Sequence, residues 1–191
     1  MARAKDPLLY IGVDIAVKRD NAAVVAIYQD YEQSLFYLWG HRIFKPPVNL
    51  VVDVEPHLLN LLTNHRVAGM IYDPYQFETT RQRLHEAGFG HKLIECNQQT
   101  QMVQAANTLH THLTQGTLKM YQDPDIHSNF SWCAAQQTER GWRIVKQKQS
   151  KQIDFVVALA MALMLATGET GHAYHPSINE NTHGRSVMML P

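Results

Sequence analysis

Three aspartates stand where a carboxylate is expensive. Asp14 closes the run Tyr10-Ile-Gly-Val, Asp73 closes Met70-Ile-Tyr, and Asp154 sits inside Gln152-Ile-Asp-Phe-Val-Val-Ala-Leu-Ala-Met. An ionised carboxylate buried alone costs several kcal/mol, so such groups shift their pKa, pair with a cation or ligate a metal. Oxygen donors without His or Cys suit a hard cation such as Mg²⁺ or Mn²⁺. Two such ions roughly 3.5–4 Å apart activate water and stabilise the leaving oxygen of an in-line phosphodiester displacement. The chemistry within reach is that of a metal-dependent nuclease. Each acid also has an ordinary reading: an Asp after a strand serves as a turn or cap residue, and Asp73-Pro74 is a common turn dipeptide. Asp154 is the hardest to explain as a cap, because Gln152 and Ile153 already precede it.

Residues so far apart meet only if the fold ends several strands at one edge, and in α/β proteins functional groups collect at the carboxyl ends of strands. Leu8–Asp14 reads as a strand ending at an acid, 21–28 as a second strand in a hairpin with it, and Leu35–Phe44 as a third, closed by Lys45-Pro-Pro. From Asn49, a candidate N-cap, Val51, Val54, Leu58, Leu61 and Leu62 recur at helical spacing to about Asn64. Val67–Asp73 is a fourth strand, followed by a helix from Tyr75 to Ala87 with a Gly88 stop. His91–Cys96 reads as a fifth strand, Gln99–Gln115 as a helix before Gly116, and Asp123-Pro124 as the opening of a short helix through Ala135. The segment 139–146 reads as a hairpin or an ordered loop. Ile153–Ala166, whose one polar residue is Asp154, reads as a helix buried on most faces. The alternation indicates α/β.

The chain has 191 residues, enough for one domain with one substantial core. Its 45% hydrophobic and 18% charged content excludes collagen-like, low-complexity and wholly disordered chains. Seventeen basic and seventeen acidic residues balance, so nucleic-acid binding needs a local patch. No period of 20 to 50 residues recurs, which excludes solenoids and propellers. The first residues lack the apolar stretch of a secretory signal, and the apolar run Phe155–Ala166 is too short for a bilayer that takes about twenty residues to cross. Cys96 and Cys133 lack the spacing of a zinc site or a disulfide framework, fit a reducing intracellular setting, and read as packing residues.

The series Ile11-Gly-Val-Asp-Ile-Ala, Ile71-Tyr-Asp-Pro-Tyr-Gln and Lys151-Gln-Ile-Asp-Phe-Val-Val-Ala-Leu-Ala-Met-Ala resembles the C-terminal nuclease domain of tailed-bacteriophage terminase large subunits, over about residues 8–168. Gly88, Gln98 or Gln99, and the Gly116-Thr-Leu segment before Asp123-Pro124 agree with the same pattern. The resemblance implies an α/β, ribonuclease H-like fold with a mixed central sheet of about five strands flanked by helices. It implies an endonuclease that cuts concatemeric viral DNA during genome packaging in the cytoplasm of the infected bacterial host. Its metal-binding, catalytic acids fall on Asp14, Asp73 and Asp154, holding Mg²⁺ or Mn²⁺ as two ions. Its implied partners are double-stranded DNA, an ATPase motor domain, the portal and the small terminase subunit, with no membrane. Some relatives carry a further acid beside the helical one, where this chain has Phe155, and no Gly-x-x-x-x-Gly-Lys-Ser/Thr occurs in these residues. The expected domain covers 1–168, with 169–191 a poorly ordered tail rich in His, Asn, Ser and Gly.

Arg140, Arg143, Lys146, Lys148 and Lys151 lie directly before Asp154 and, on a loop beside the acids, would hold phosphates without reading sequence; otherwise they form a solvated charged hairpin. Lys18 and Arg19 are a second candidate contact on the same rim. His110 and His112 are two apart on a helix and face different ways, and His127 is a candidate outer contact or a capping-turn residue. Readings that compete with the packaging nuclease are a Holliday-junction resolvase or transposase of the same fold, a catalytically weak docking module of the packaging machinery, and, ranked last, a sugar-kinase or actin-like relative.

Overall fold

A computed structural model describes residues 6–15, 22–97, 100–148 and 150–170. Lys18, Arg19, Gln98 and Gln99 lie outside them. Strand β1 (Leu9–Ile15) pairs antiparallel with β2 (Ala22–Asp30), and β2 pairs antiparallel with β3 (Leu35–Phe44). A single turn of π-helix, Leu50–Val54, starts where Oδ1 of Asn49 accepts from the Val51 and Val52 amides, and leads into α1 (Glu55–Asn64). Strand β4 (Val67–Tyr72) then returns parallel to β1.

Helix α2 (Glu78–Leu84) runs into a wide turn at 85–89, where Gly88 adopts φ +91°, a conformation that glycine enters without a Cβ penalty. Strand β5 (Leu93–Glu95) lies parallel beside β4, and α3 (Gln101–Thr114) follows. Strand β6 (Leu118–Lys119) pairs parallel with β3. Helix α4 (Pro124–Ser131) is capped by Asp123, whose Oδ1 accepts from the Asp125 and Ile126 amides. A hairpin of β7 (Cys133–Thr138) and β8 (Gly141–Lys146) precedes α5 (Asp154–Ala166).

The central sheet has six strands in the order β5-β4-β1-β2-β3-β6. The expected count was about five; β6, two residues long, is too short to show a period of two. The helix expected through Ala135 stops at Ser131, because Cys133–Thr138 pairs instead with β8, and tertiary pairing overrides the helical propensity of Ala134 and Ala135. Glu169 accepts a hydrogen bond from Thr108 of α3 and Thr170 is buried, so packing continues two residues past the expected boundary. Residues 171–191 lie outside the described part.

Helices cover both faces of the sheet. Alternation along β1 sends Leu9, Ile11, Val13 and Ile15 into the core with α1 and α2, and Tyr10 toward α3 and α5. Strands buried on both sides read as near-continuous apolar runs, which is why β1, β2 and β4 are so hydrophobic. In α5, Phe155, Leu159, Met161 and Leu163 are fully buried, each worth about 1.5–3 kcal/mol of transfer free energy.

Candidate active site

The parallel register of β1 and β4 ends at Val13 opposite Tyr72, and the Asp73 amide donates to the Val13 carbonyl at 3.4 Å. Asp14 and Asp73 are therefore neighbours at the carboxyl ends of adjacent strands. Gly12 faces α5 and Ile71 lies in the α5 core, so a period of two brings Asp14 and Asp73 out on that same face.

Two glycines fix the direction of α5. A Cβ on Gly12 would meet Ala158 and Ala162, while one on Gly69 would lie 3.4 Å from Leu165. Gly69 pairs with Tyr10, so advancing along β1 means moving back along α5. Asp154 lies one turn, roughly 6 Å, before Ala158, and Asp14 lies two residues, roughly 7 Å, beyond Gly12. The third acid thus stands at the same pole of the molecule as the other two, with only 4% of its surface exposed.

Asp154 is the first residue of α5, preceded by Ile153 at the N-cap, not an interior residue. A carboxylate in a first helical turn is favoured by the peptide dipoles, an ordinary reading that the apolar neighbours obscured in the sequence. Asp73 likewise has a turn role: its Oδ1 accepts from the Tyr75 amide at 2.9 Å. The next residue, Gln76, takes φ +61°, and Tyr75 is 66% exposed beside the acids.

Cys96 follows β5 and extends the ladder, its amide donating to the Tyr72 carbonyl at 2.8 Å. Burial pushes its thiol up to about 12, and the negative charges of Asp73 and Asp14 push the same way. Read as a packing residue, it is fully buried, and it lies within the field of both strand-end acids. Among the described residues, no three His, Cys, Asp or Glu side chains already stand as a ligand set for one ion. What the fold brings together is an adjacent pair and a third acid on the facing helix. As donor chemistry, three carboxylates on three rigid elements fit a hard divalent cation.

The basic residues divide. Trp142 donates its amide to Oδ1 of Asn107 at 2.8 Å and stacks on His110 at 4.4 Å, which lays the hairpin along α3. Arg140 in the turn and Arg143 on β8 flank the residue that seats the hairpin on α3, and both are exposed. Lys146 closes the base of the hairpin opposite Cys133. The Nζ atoms of Lys148 and Lys151 lie 5.7 and 4.2 Å from the Trp132 ring, immediately before α5. His127 is exposed on α4, 3.5 Å from Ser131 Oγ.

Sequence reading passed over Asn129, Trp132, Lys45 and His41. Buried Asn129 accepts from the Phe155 amide at 3.2 Å and donates to the Asp125 carbonyl at 2.9 Å, tying α4 to the first turn of α5. His41 packs edge-on against Phe155 at 5.1 Å, with Nδ1 2.6 Å from the Tyr121 hydroxyl and Nε2 3.7 Å from Asp123. Burial lowers its pKa, against the opposing pull of Asp123 and Asp125. Lys45 sits 3.5 Å from Asp125. The only sequence signal for any of these was Lys45-Pro-Pro, legible as the end of a strand.

Three antiparallel strands leading into a parallel pair, with helices on both faces, constitute a ribonuclease H-like fold. It is the fold of the nuclease domains of phage large terminases. The chain superposes on the large terminase of bacteriophage HK97 with a TM-score of 0.70 at 16% identity, covering 87% of this chain and 41% of that one. Against the large terminase nuclease of thermophilic phage G20c with bound magnesium, the TM-score is 0.64 at 15% identity, with 84% and 82% covered. Against the nuclease domain of the bacteriophage SPP1 large terminase with bound Mn, it is 0.58 at 12% identity, with 85% and 88% covered. No protein-family model and no curated protein matches the sequence.

Proposed function

We propose that this chain is a metal-dependent DNA endonuclease that cleaves concatemeric viral DNA during genome packaging, with Asp14, Asp73 and Asp154 as its metal ligands. The observation that carries the reading is the arrival of all three acids at one pole, two on adjacent parallel strand ends and the third at the start of the facing helix. The fold it shares with nuclease domains bearing magnesium or manganese supports the same assignment. Bound there, Mg²⁺ or Mn²⁺, as a pair of ions, supplies Lewis acidity and an activated water for phosphodiester hydrolysis. The chain's own contribution is rigidity. Strand pairing fixes Asp14 against Asp73, the Gly12–Ala158 contact fixes the height of α5, and Asn129 anchors the first turn that carries Asp154. Lys148 and Lys151, in the segment entering that turn, and Lys146 at the base of the hairpin neutralise backbone phosphates of duplex DNA without selecting bases.

The chain spans 41% of the HK97 protein. An ATPase motor on the same or another polypeptide, the portal and the small terminase subunit are its proposed partners, and the host cytoplasm its site of action. The test is plasmid cleavage in Mn²⁺: Asp14→Asn, Asp73→Asn and Asp154→Asn each lower the rate a hundredfold or more, as expected for losing several kcal/mol of transition-state stabilisation. Unchanged cleavage in all three, with folding intact, sinks the proposal. One observation favours a weak docking module instead, namely that no three-ligand set stands ready among the described residues. Calorimetric titration with Mn²⁺ separates the two, because a silent module gives no heat that depends on Asp154.

A further inference from the structure

Beside the acid pole lies an open cleft of about 320 Å³, walled by the end of β3, by α4 and by the segment entering α5. Asp14 pairs across with Ala23, and Ala23 with Ile43, a cleft residue, so the cleft is two strand spacings, roughly 10 Å, from Asp14. Gln152, on its wall, is two residues from Asp154, and Asn129, also on the wall, holds the Phe155 amide. The lining is mostly polar and includes two lysines, Lys45 and Lys151, together with Ser128 and buried Asn129.

The two cations are held differently. Lys151 is placed by the Trp132 ring, 4.2 Å from its Nζ, so its charge stays over the cleft at low conformational cost. Lys45 is 70% exposed and lies 3.5 Å from Asp125, itself half-exposed. An ion pair in that setting is worth little, so Lys45 is available to a stronger anion. Cis-Pro46-Pro47 follows directly, and the chain leaves the sheet there.

We propose that this cleft is a second phosphate site for the DNA substrate, in which Lys45 and Lys151 hold a backbone phosphodiester while another phosphate of the same duplex lies over Asp14, Asp73 and Asp154. This rests on the nuclease reading above. A duplex carries one phosphate per roughly 3.4 Å of axis on each strand, so a separation of roughly 10 Å is spanned within a few nucleotides. Both lysines meet phosphate, not a base edge, so their contacts orient the strand without selecting sequence. Asp125 opposes the incoming phosphate and sets the strength of the site.

The test measures binding of a short linear duplex, with Ca²⁺ in place of Mn²⁺, as a function of salt. Lys45→Ala weakens binding by about tenfold and lowers the slope of log affinity against log salt by about 0.9, the value of one lost phosphate contact. Lys45→Arg restores both, Asp125→Asn tightens binding, and Lys119→Ala, at the opposite end of β3, changes neither. In Mn²⁺ cleavage, Lys45→Ala raises KM and leaves kcat within about twofold, which a general loss of folding does not produce. Wild-type affinity and salt slope in Lys45→Ala, with Asp14→Asn still abolishing cleavage, overturn the cleft and leave the nuclease standing. If the unaltered protein neither binds nor cuts duplex DNA, the nuclease reading falls and the cleft falls with it.

Discussion

Gly12 of β1 lies directly beneath Ala158 of α5, so close that a Cβ on Gly12 would run into the Ala158 carbonyl oxygen and sit 2.9 Å from the Ala162 amide nitrogen. Both obstacles are backbone, and backbone in a packed helix does not yield as a side chain does. Gly12→Ala must therefore lift α5 or unfold the domain. The expected cost is about 3 kcal/mol or more, at the upper end of overpacking effects. Thermal unfolding reads the stability. If the variant folds, its cleavage rate falls as well, because the same lift moves Asp154 away from Asp14.

That contact was not legible in the sequence, although its consequences were. A glycine inside an apolar strand signals a close approach, but nothing in Tyr10-Ile-Gly-Val says what approaches. Strands β1 to β5 and helices α1, α3 and α5 followed from period and capping, because buried strands and amphipathic helices write their geometry into local order. Strand β6 did not, because it is two residues long and its partner β3 is distant in sequence, and the start of β7 did not, because Ala134 and Ala135 favour helix until they pair with β8. The three acids were legible as costly residues. That Asp154 begins α5 was hidden by the apolar Ile153 at its cap. Asn129, Lys45 and His41 act through contacts across elements, which no single segment reveals.

The hairpin makes a separate prediction. Trp142 is fixed to α3 by Asn107 and His110, so the exposed arginines beside it ride on α3 and not on the segment that enters α5. Arg140→Ala and Arg143→Ala leave the cleavage rate at saturating DNA within about twofold, as for other surface substitutions. Asn107→Ala removes one hydrogen bond worth about 1 kcal/mol, so trypsin cuts at Arg140 and Arg143 about fivefold faster while thermal stability changes little. Protection equal to wild type means that stacking on His110 alone holds the hairpin.

Acid should weaken the fold through its buried histidines. Burial lowers the pKa of His41, His57 and His112. The unfolded chain then binds more protons than the folded one as pH falls below about 6.5, so stability is present above that value and is lost on acidification. For His41, Asp123 and Asp125 pull the other way and limit the loss. Urea unfolding at pH 5 to 7 shows a positive slope of stability with pH, and His41→Gln reduces it by at most about 1.4 kcal/mol per pH unit. An unchanged slope in His41→Gln assigns the effect to the other two histidines.

Alkali acts through Cys96. Its thiol is pushed up to about 12 by burial and then by Asp73 and Asp14, whereas in the unfolded chain it ionises near the ordinary value of 9. Above pH 9 the unfolded state releases a proton that the folded state retains, so the stability this group contributes is full below pH 9 and is lost as pH climbs toward 12. Cys133 is also raised by burial and adds to the slope, while Tyr72, raised by burial and by Glu95, enters only above its ordinary 10. Between pH 9 and 10, Cys96→Ala therefore flattens the decline of unfolding free energy by about 1 kcal/mol per pH unit, even though the cavity it leaves lowers stability at every pH. In the same range the native Cys96 thiol reacts with iodoacetamide only through opening of the fold, at a rate that denaturant raises in step with unfolding. Fast labelling of the native protein at pH 8 places the thiol in solvent, and with it the neighbouring ends of β1 and β4.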